Sequence, residues 1–324
     1  MEYEKLRSMP KVELHCHLDG SLSRSFISQE LGREVDPTEL QVAYGCRSLK
    51  EYLEKFDLPG QCLRDERGLE EAGFDVLKSM SRENVCYAEI RFAPLFSETA
   101  SMSCTKAIEA LLKGMEKGKQ TFGIEYGLIT CAMRHHSEEE NLRMIKAARE
   151  FLGAGVCAAD LAGAEALFPT ESYKNLFAKA KEYNVPFTIH AGEAGDAEDV
   201  KTAIRMGASR IGHGVRIAGN EEVIQLVKNS GIFLEMCPTS NRQTRAVEDM
   251  FSYPLKNFLE QGLKVTLNTD DPAIERTTLS HEFQYMDSLL NLTEEQKKQL
   301  LLNSVEAAFT SGKRKRELKE QFLF

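Results

Sequence analysis

The sequence predicts an α/β fold, a (β/α)8 barrel (TIM barrel) with a helical insertion between its first two strands. Eight short apolar runs, most of them rich in β-branched or aromatic residues, alternate with stretches of helical periodicity, as in a parallel sheet covered by helices. Nearly every unusual polar side chain lies at the end of one of these runs, where barrels of this kind carry their functional sites. The predicted strands are residues 12–18, 85–93, 124–133, 156–162, 185–191, 210–215, 232–237 and 265–269.

The segments between the predicted strands contain helical patterns with recognisable ends. Residues 138–152 open with an acidic first turn, which favours a helix N-terminus. Residues 220–229 begin at Asn220, a residue that caps helix N-termini well. Residues 249–261 also fit a helix, although Pro254 falls early in that segment. We expect a helix in each of the three connections.

The first connection is the main irregularity of the pattern. Residues 19–84 are far too many for one crossover helix. We expect short helices over the mouth of the barrel, followed by the first barrel helix near residues 67–83. A doubly wound open sheet is the alternative, but the sequence has neither a G-x-G-x-x-G nor a G-x-x-x-x-G-K-[ST] loop to support it.

The composition excludes several classes of protein. The chain has 324 residues with 41 basic and 50 acidic side chains, a net charge of −9, which argues against nucleic acid or an anionic membrane as a partner. No signal-like segment opens the chain, and no apolar run approaches the roughly 18 residues of a membrane span. The eight cysteines form no C-x-x-C pair. We expect a single cytoplasmic domain over residues 1–324, with its oligomeric state left open.

Four side chains at the ends of three predicted strands form a metal-binding set. His15 and His17 point to the same side because alternate residues of a strand share a face. His190 ends the fifth strand and Asp270 follows the eighth. Imidazole nitrogens with one carboxylate oxygen suit zinc, whose catalytic sites leave a position for water. We predict one zinc ion per chain, since the fourth strand end lacks the lysine that often bridges two metals.

Three more polar residues at the strand ends are suited to moving protons. Glu193, three residues after His190, is a candidate general acid or base, or a hydrogen-bond partner of that histidine. Asp271 is placed to accept a proton from the water that the metal activates, or to cap a helix beginning at Pro272. His213 is a candidate for stabilising the charge that develops at the attacked carbon.

These motifs resemble those of the adenosine deaminase family and occur in that family's order. They are HCHLDGS (15–21), FDLPG (56–60), YAEIRFAP (87–94), DLAG (160–163), HAGE (190–193), GHG (212–214), CPTSN (237–241) and NTDDP (268–272). The resemblance implies a (β/α)8 barrel with one zinc ion that removes the 6-amino group of a purine hydrolytically. The zinc ligands that it implies are His15, His17, His190 and Asp270.

The resemblance also implies a role for each catalytic candidate. Glu193 would protonate purine N1, Asp271 would orient and deprotonate the water, and His213 would stabilise the hydroxide that attacks C6. Substrate contacts are implied for His17, Asp19, Gly163 and Asp271, with the Gly163 amide meeting purine N3 and Asp19 meeting the ribose 5′-hydroxyl.

The expected substrate is a purine nucleoside, adenosine or 2′-deoxyadenosine. Relatives that act on free adenine tend to carry Glu in place of Asp19, and they usually lack the FDLP segment at residues 56–59. A deaminase of free adenine or of another 6-substituted purine, with the same zinc site, is the alternative. An inactive relative that binds nucleosides or a protein is a third reading, and the intact set of Glu193, His213 and Asp271 argues against it.

Overall fold

The computed structural model describes residues 3–43 and 49–322, which form an α/β barrel. Its strands are β1 (Lys11–His17), β2 (Val85–Phe92), β3 (Glu125–Met133), β4 (Val156–Ala162), β5 (Thr188–Ala191), β6 (Arg210–His213), β7 (Phe233–Met236) and β8 (Lys264–Leu267). Each of them overlaps one of the eight runs predicted from the sequence.

The strands close into a ring. β1 to β4 pair in parallel in chain order, and β5 to β8 do the same. A parallel bridge between Cys16 and Asp270 joins the end of β8 to β1, and a second bridge between Ala159 and Phe187 joins β4 to the start of β5. Every strand therefore has two neighbours, which confirms the predicted (β/α)8 barrel.

Helices surround the ring and fill the longer connections. They are α1 (Tyr3–Ser8), α2 (Arg24–Leu31), α3 (Pro37–Leu40), α4 (Leu49–Leu53), α5 (Asp57–Cys62), α6 (Glu66–Ser81), α7 (Cys104–Phe122), α8 (Glu138–Glu150), α9 (Lys174–Glu182), α10 (Ala197–Met206), α11 (Glu221–Ser230), α12 (Pro238–Gln243), α13 (Leu255–Glu260), α14 (Pro272–Glu275), α15 (Leu279–Leu290), α16 (Glu294–Ala307) and α17 (Gly312–Gln321). Short 3-10 turns cover Glu54–Phe56, Pro94–Ser97, Thr170–Tyr173, Val215–Ile217 and Met250–Ser252.

Two of the three helix predictions hold, and the third fails at a proline. Asn220 caps α11 by accepting a hydrogen bond from the backbone N–H of Val223, as its position predicts. The predicted helix over 249–261 is instead a 3-10 turn followed by α13, with Pro254 at the N-cap. Proline has no N–H and collides with the preceding turn, so it begins this helix rather than continuing one.

The long first connection contains the short helices α2 to α5, then α6 close to its predicted bounds. Asp65 caps α6. The connection reaches the C-terminal end of the barrel, where the N–H of Val42 donates to the carbonyl of Ile274 at 3.0 Å. These two residues and Tyr52 form a small apolar cluster of their own, with Phe56 packed against it. Most of the other buried apolar side chains form one continuous core between the barrel and its helices.

No helix within the described ranges combines the length and the apolar character that crossing a membrane would need. The barrel interior is instead rich in buried charge, including Arg91, Asp160, Arg210 and Glu235. Charged groups with almost no solvent contact must be paired. Arg91 pairs with Asp160 and Glu235, and Arg210 pairs with Glu235.

Candidate metal-dependent active site

Four donor atoms converge at the C-terminal end of the barrel, and they belong to the four ligands predicted from the sequence. Nε2 of His190 lies 3.1 Å from Nε2 of His15 and 3.3 Å from Nε2 of His17. Oδ1 of Asp270 lies 3.3 Å from Nε2 of His15 and 3.4 Å from Nε2 of His17. β1, β5 and the segment after β8 thus bring all four side chains to one point.

The spacing of these donors fits a tetrahedral zinc ion. Zinc bonds of about 2.0–2.2 Å place neighbouring ligand atoms about 3.3–3.6 Å apart, close to the distances between these donors. Neutral imidazoles that face each other through unprotonated nitrogens repel, and a cation between them removes that repulsion. The donor set and its dimensions therefore both suit the predicted ion.

Carboxylates hold two of the three histidines from behind. Nδ1 of His15 lies 2.8 Å from Glu235 Oε2, and Nδ1 of His190 lies 2.9 Å from Asp160 Oδ2. Each carboxylate favours a proton on Nδ1, so that the lone pair of Nε2 faces the donor cluster. Burial alone would raise the pKa of Asp160, but the charges of His190 and Arg91 outweigh it and hold that pKa below its usual value.

One buried arginine binds both of these carboxylates. Nε of Arg91 donates to Asp160 Oδ2 at 3.1 Å, and its two Nη groups donate to Glu235 Oε2 and to the carbonyl of Leu14. Arg91 is completely buried. The residue lies in β2, so a single side chain fixes the groups behind His15 and His190 relative to one another.

We expect Arg91→Met to lower the free energy of unfolding by about 3–5 kcal/mol, because it leaves Asp160 and Glu235 as buried charges without this partner. Chemical denaturation of the wild type and the variant measures the difference. Arg33→Met removes an exposed arginine that pairs with Glu39 and should leave the unfolding midpoint almost unchanged. Equal effects of the two substitutions would contradict the role assigned to Arg91.

Glu193 faces the donor cluster from the loop after β5. Its Oε1 accepts a hydrogen bond from the hydroxyl of Thr244 at 3.2 Å, and its Oε2 lies 3.5 Å from Nε2 of His213. Burial, with a further contribution from the charge of Asp270, raises the pKa of Glu193 to about 7. The sequence left open that Glu193 is a hydrogen-bond partner of His190. In the structure Asp160, and not Glu193, lies beside Nδ1 of that histidine.

A second glutamate fixes the loop that carries Glu193. The carboxylate of Glu165 accepts backbone hydrogen bonds from four consecutive residues, Gly192, Glu193, Ala194 and Gly195, at 2.6, 3.0, 2.8 and 2.8 Å. Glu165 is buried. Four N–H groups on one carboxylate hold the turn in a single conformation, and the Glu193 side chain is thereby aimed at the cluster.

His213 is held in one tautomer by a chain of hydrogen bonds. The hydroxyl of Tyr253 donates to Oδ1 of Asn241 at 2.8 Å, which turns the amide N–H of Asn241 toward Nδ1 of His213 at 3.0 Å. Burial lowers the pKa of His213, so the ring is neutral. Because Nδ1 accepts the N–H of Asn241, the ring proton is on Nε2. Within the described residues Nε2 makes no hydrogen bond, and it faces the carboxylates of Glu193 and Asp270.

The backbone is strained where it carries His213 and Asp270. Both residues have positive φ, +64° and +74°, in the left-handed region that non-glycine residues seldom adopt. Such conformations cost about 1–3 kcal/mol each and persist where the surroundings enforce them. Here the barrel enforces them at two side chains that face the same point.

Asp271 is buried beside the donor cluster, and its side chain does not cap α14. Oδ2 accepts a hydrogen bond from the hydroxyl of Tyr52 at 2.7 Å, while the capping bond that the sequence allowed is absent. Oδ1 is buried and finds no hydrogen-bond partner in the part of the chain that is described. Burial and the charge of Asp270 raise the pKa of Asp271.

Comparison with known proteins assigns the chain to a family. The profile of the family described as adenosine deaminase matches residues 10–323. The chain belongs to the adenosine deaminase family. A protein named adenosine deaminase from Enterococcus faecalis is 35% identical over 330 residues, which cover 99% of this chain and 98% of the relative. Another from Clostridium perfringens is 39% identical over 326 residues, covering 97% and 98%.

A solved structure shares the architecture. The crystal structure of adenine deaminase from Arthrobacter aurescens aligns with a TM-score of 0.86, covering 97% of this chain and 98% of that one. Its sequence identity is 24%, so this likeness concerns the fold alone. The identification with the adenosine deaminase family confirms the resemblance seen in the motifs.

The remaining residues that the family motifs single out lie at the same end of the barrel. Asp19 follows β1, and burial raises the pKa of its carboxyl to about 6. It lines a cavity together with Pro59 of the FDLP segment and Pro272, which follows Asp271. Gly163 directly follows β4 and has a φ of +104°, a conformation that favours glycine.

The sequence analysis assigned no function to several residues that shape this site. They are Tyr52, Arg91, Glu165, Glu235, Asn241 and Tyr253. Arg91 and Glu235 had a signal, because each is a charged residue inside a mostly apolar strand. The others contact the site through connections whose course the sequence pattern does not give.

Proposed function

We propose that this protein is a zinc-dependent adenosine deaminase. It converts adenosine and 2′-deoxyadenosine to inosine and 2′-deoxyinosine and releases ammonia. The feature that best supports this function is the convergence of Glu193, His213 and Asp271 on the four-donor cluster. The relatives named adenosine deaminase, at 35% and 39% identity over nearly the whole chain, support the same substrate.

In this proposal one zinc ion per chain is held by His15, His17, His190 and Asp270. When bound, zinc lowers the pKa of a coordinated water toward about 7 and so supplies the nucleophile. The carboxylates behind His15 and His190 keep both imidazoles in the tautomer that such an ion needs.

The chain's own residues then move the protons. Glu193 gives its proton to purine N1, which withdraws electrons from C6 and makes that carbon electrophilic. His213 donates a hydrogen bond from Nε2 to the attacking oxygen. Asp271 accepts a proton from the attacking water on Oδ1 and delivers it to the 6-amino nitrogen. When the C6–N bond breaks, ammonia leaves and the proton that remains on the C6 oxygen passes to Glu193, which restores its acid form. One water is consumed and one ammonia is released in each turnover.

The substrate contacts in this proposal come from His17, Asp19, Gly163 and Asp271. The backbone N–H of Gly163 binds purine N3, and the Asp19 carboxylate accepts a hydrogen bond from the ribose 5′-hydroxyl. His17 is the most exposed of the three metal-facing histidines, with 18% of its side chain accessible, so it lies on the side open to a ligand. Free adenine offers no 5′-hydroxyl, which makes it the poorer substrate.

The proposal is tested by measuring ammonia release from adenosine, 2′-deoxyadenosine and adenine by the zinc-loaded protein. We expect fast turnover of both nucleosides and little of adenine. Asp19→Ala should lower kcat/KM for adenosine about 10- to 100-fold, since it removes a hydrogen bond to a charged group, and should hardly affect 5′-deoxyadenosine. Turnover of adenine alone would favour the adenine deaminase alternative. No ammonia release from any of the three compounds would overturn the proposed deaminase function.

We also propose a single domain over residues 1–324 and a cytoplasmic location. The continuous core supports the first of these. The cysteines within the described residues are free thiols, as expected in a reducing compartment. The net charge of −9 supports a small-molecule substrate rather than nucleic acid or an anionic membrane as the partner.

A further inference from the structure

A tyrosine from the long first connection lies between two acidic side chains of the segment after β8. The hydroxyl of Tyr52 in α4 is 2.7 Å from Asp271 Oδ2 and 2.7 Å from Glu275 Oε1. All three side chains are buried, with exposed fractions of 5%, 6% and 3%. Tyr52 and Glu275 take no part in the proposed chemistry, so this buried cluster needs a different explanation.

The number of available protons restricts how the cluster is bonded. A phenol hydroxyl has one proton, so Tyr52 donates to one of the two carboxyl groups and its oxygen accepts from the other. Both contacts are of normal hydrogen-bond length, so Asp271 and Glu275 are joined through the tyrosine oxygen. The side-chain hydrogen bonds therefore connect Glu275 to Asp271 by way of Tyr52.

The arrangement leaves Asp271 one orientation. Its Oδ2 is taken by Tyr52, and on the other side the main chain of Gly20 stands against Oδ1. A Cβ atom placed on Gly20 would lie 1.8 Å from that oxygen, so only glycine allows this approach. Gly20 is itself fixed, because its carbonyl accepts the N–H of Ala273 at 2.9 Å. The carboxylate is confined between the tyrosine and the glycine, with Oδ1 as the oxygen left without a partner.

Apolar packing brings the tyrosine to this position. The aromatic ring of Tyr52 packs with Val42 and Ile274 in the small cluster that is separate from the main core, and Phe56 covers it. Removal of water strengthens hydrogen bonds to the buried hydroxyl and leaves it no competing partner. The first connection is thereby attached to the residue that directly follows the metal ligand Asp270.

We propose that Tyr52 and Glu275 are positioning residues for Asp271: they hold Oδ2 so that Oδ1 is presented to the attacking water. This inference rests on the proposed function, in which Asp271 is the base. Neither residue touches substrate or metal ligands in this role. Because Asp271 is also a substrate contact, their removal should reduce the rate of the chemical step more than the binding of nucleoside. Zinc binding should stay unchanged.

The test compares Tyr52→Phe, Glu275→Gln and the double variant. Tyr52→Phe keeps the ring but loses the hydroxyl, and we expect kcat to fall about tenfold or more with KM changed less than about twofold and zinc content unchanged. Glu275→Gln should have a smaller effect, because its amide N–H still donates to the tyrosine oxygen. The double variant should be no slower than Tyr52→Phe, since Glu275 acts through the tyrosine.

Tyr126→Phe is the matched control. Tyr126 is half-buried at the N-terminal end of β3, where its hydroxyl donates to Glu116 at 3.4 Å. The substitution deletes the same chemical group from the same kind of pair, far from the strand ends that carry the site. It should leave kcat and KM unchanged. The control therefore shows whether losing any tyrosine–glutamate hydrogen bond slows the enzyme, or only the loss of the Tyr52 hydroxyl.

The outcomes separate this inference from the proposed function. Ammonia release by the wild type with an equally fast Tyr52→Phe enzyme would overturn the positioning role and leave the function standing. A further loss in the double variant would overturn the coupling through Tyr52. A crystal structure of Tyr52→Phe does not depend on turnover: more than one orientation of the Asp271 carboxylate supports the inference, and the single wild-type orientation overturns it.

Discussion

Glu193→Gln is expected to lower kcat/KM for adenosine about 10³-fold while the zinc content of the protein stays at the wild-type level. Glutamine has nearly the shape of glutamate and still accepts the hydrogen bond of Thr244. It has no acidic proton, so purine N1 can no longer be protonated, and general acid catalysis of this kind contributes about 10²- to 10⁴-fold. Turnover and bound metal are measured on the same preparation.

The pH dependence of the wild type gives an independent check on Glu193. Burial and the charge of Asp270 raise the pKa of this residue to about 7. The acid form is the one that donates the proton, so kcat/KM should be high below that pH and decline as the pH rises through it. The group retains its proton at a higher pH than an ordinary glutamate, which is what a general acid near neutrality requires.

Glu198→Gln is the control for this prediction. Glu198 lies in the first turn of α10, exposed to solvent, and pairs with Lys201. The substitution removes the same charge five residues away along the chain and should leave both kcat/KM and its pH profile unchanged. A Glu193→Gln enzyme that kept more than about a tenth of the wild-type rate would show that another group protonates the purine.

Much of the fold followed from the sequence because barrel strands are buried on both faces. The predicted strand 156–162 coincides with β4, and the other strands differ only at their ends, where hydrogen bonding to the neighbouring strand decides the boundary. The helix over 249–261 failed where Pro254 interrupts the periodicity. The apolar positions continue past the proline, but the backbone cannot.

The convergence of His15, His17, His190 and Asp270 was also predictable, because alternate residues of β1 share a face and parallel strands end at the same edge of the barrel. The residues that orient them were not. Tyr52 and Asp271 are 219 positions apart, and the tyrosine sits in a connection with no regular period. Tyr253 acts on His213 only through Asn241. Such contacts depend on the course of long connections, which hydrophobic patterning does not determine.

Removal of the metal should abolish deamination and destabilise the fold. The Nε2 atoms of His15 and His190 are 3.1 Å apart, and a cation bound between these lone pairs and the Asp270 carboxylate offsets the repulsion of the two lone pairs and the backbone strain at Asp270. A ligand present at 1,000 times its dissociation constant stabilises a fold by about 4 kcal/mol. Chelation should therefore lower the melting temperature as well as the rate. Zinc should restore both, whereas magnesium, which prefers oxygen ligands, should not.

Asp270→Asn tests the dependence of deamination on the metal without a chelator. Asparagine adopts positive φ readily, so the backbone at +74° is kept while the ligand charge is lost. We expect zinc affinity to fall at least about 100-fold and deamination at stoichiometric zinc to fall with it. Asp249→Asn is the control, because Asp249 caps an exposed 3-10 turn and asparagine caps equally well. Full activity of the chelated wild type, or of Asp270→Asn with no metal bound, would contradict a hydrolase whose nucleophile depends on this cluster.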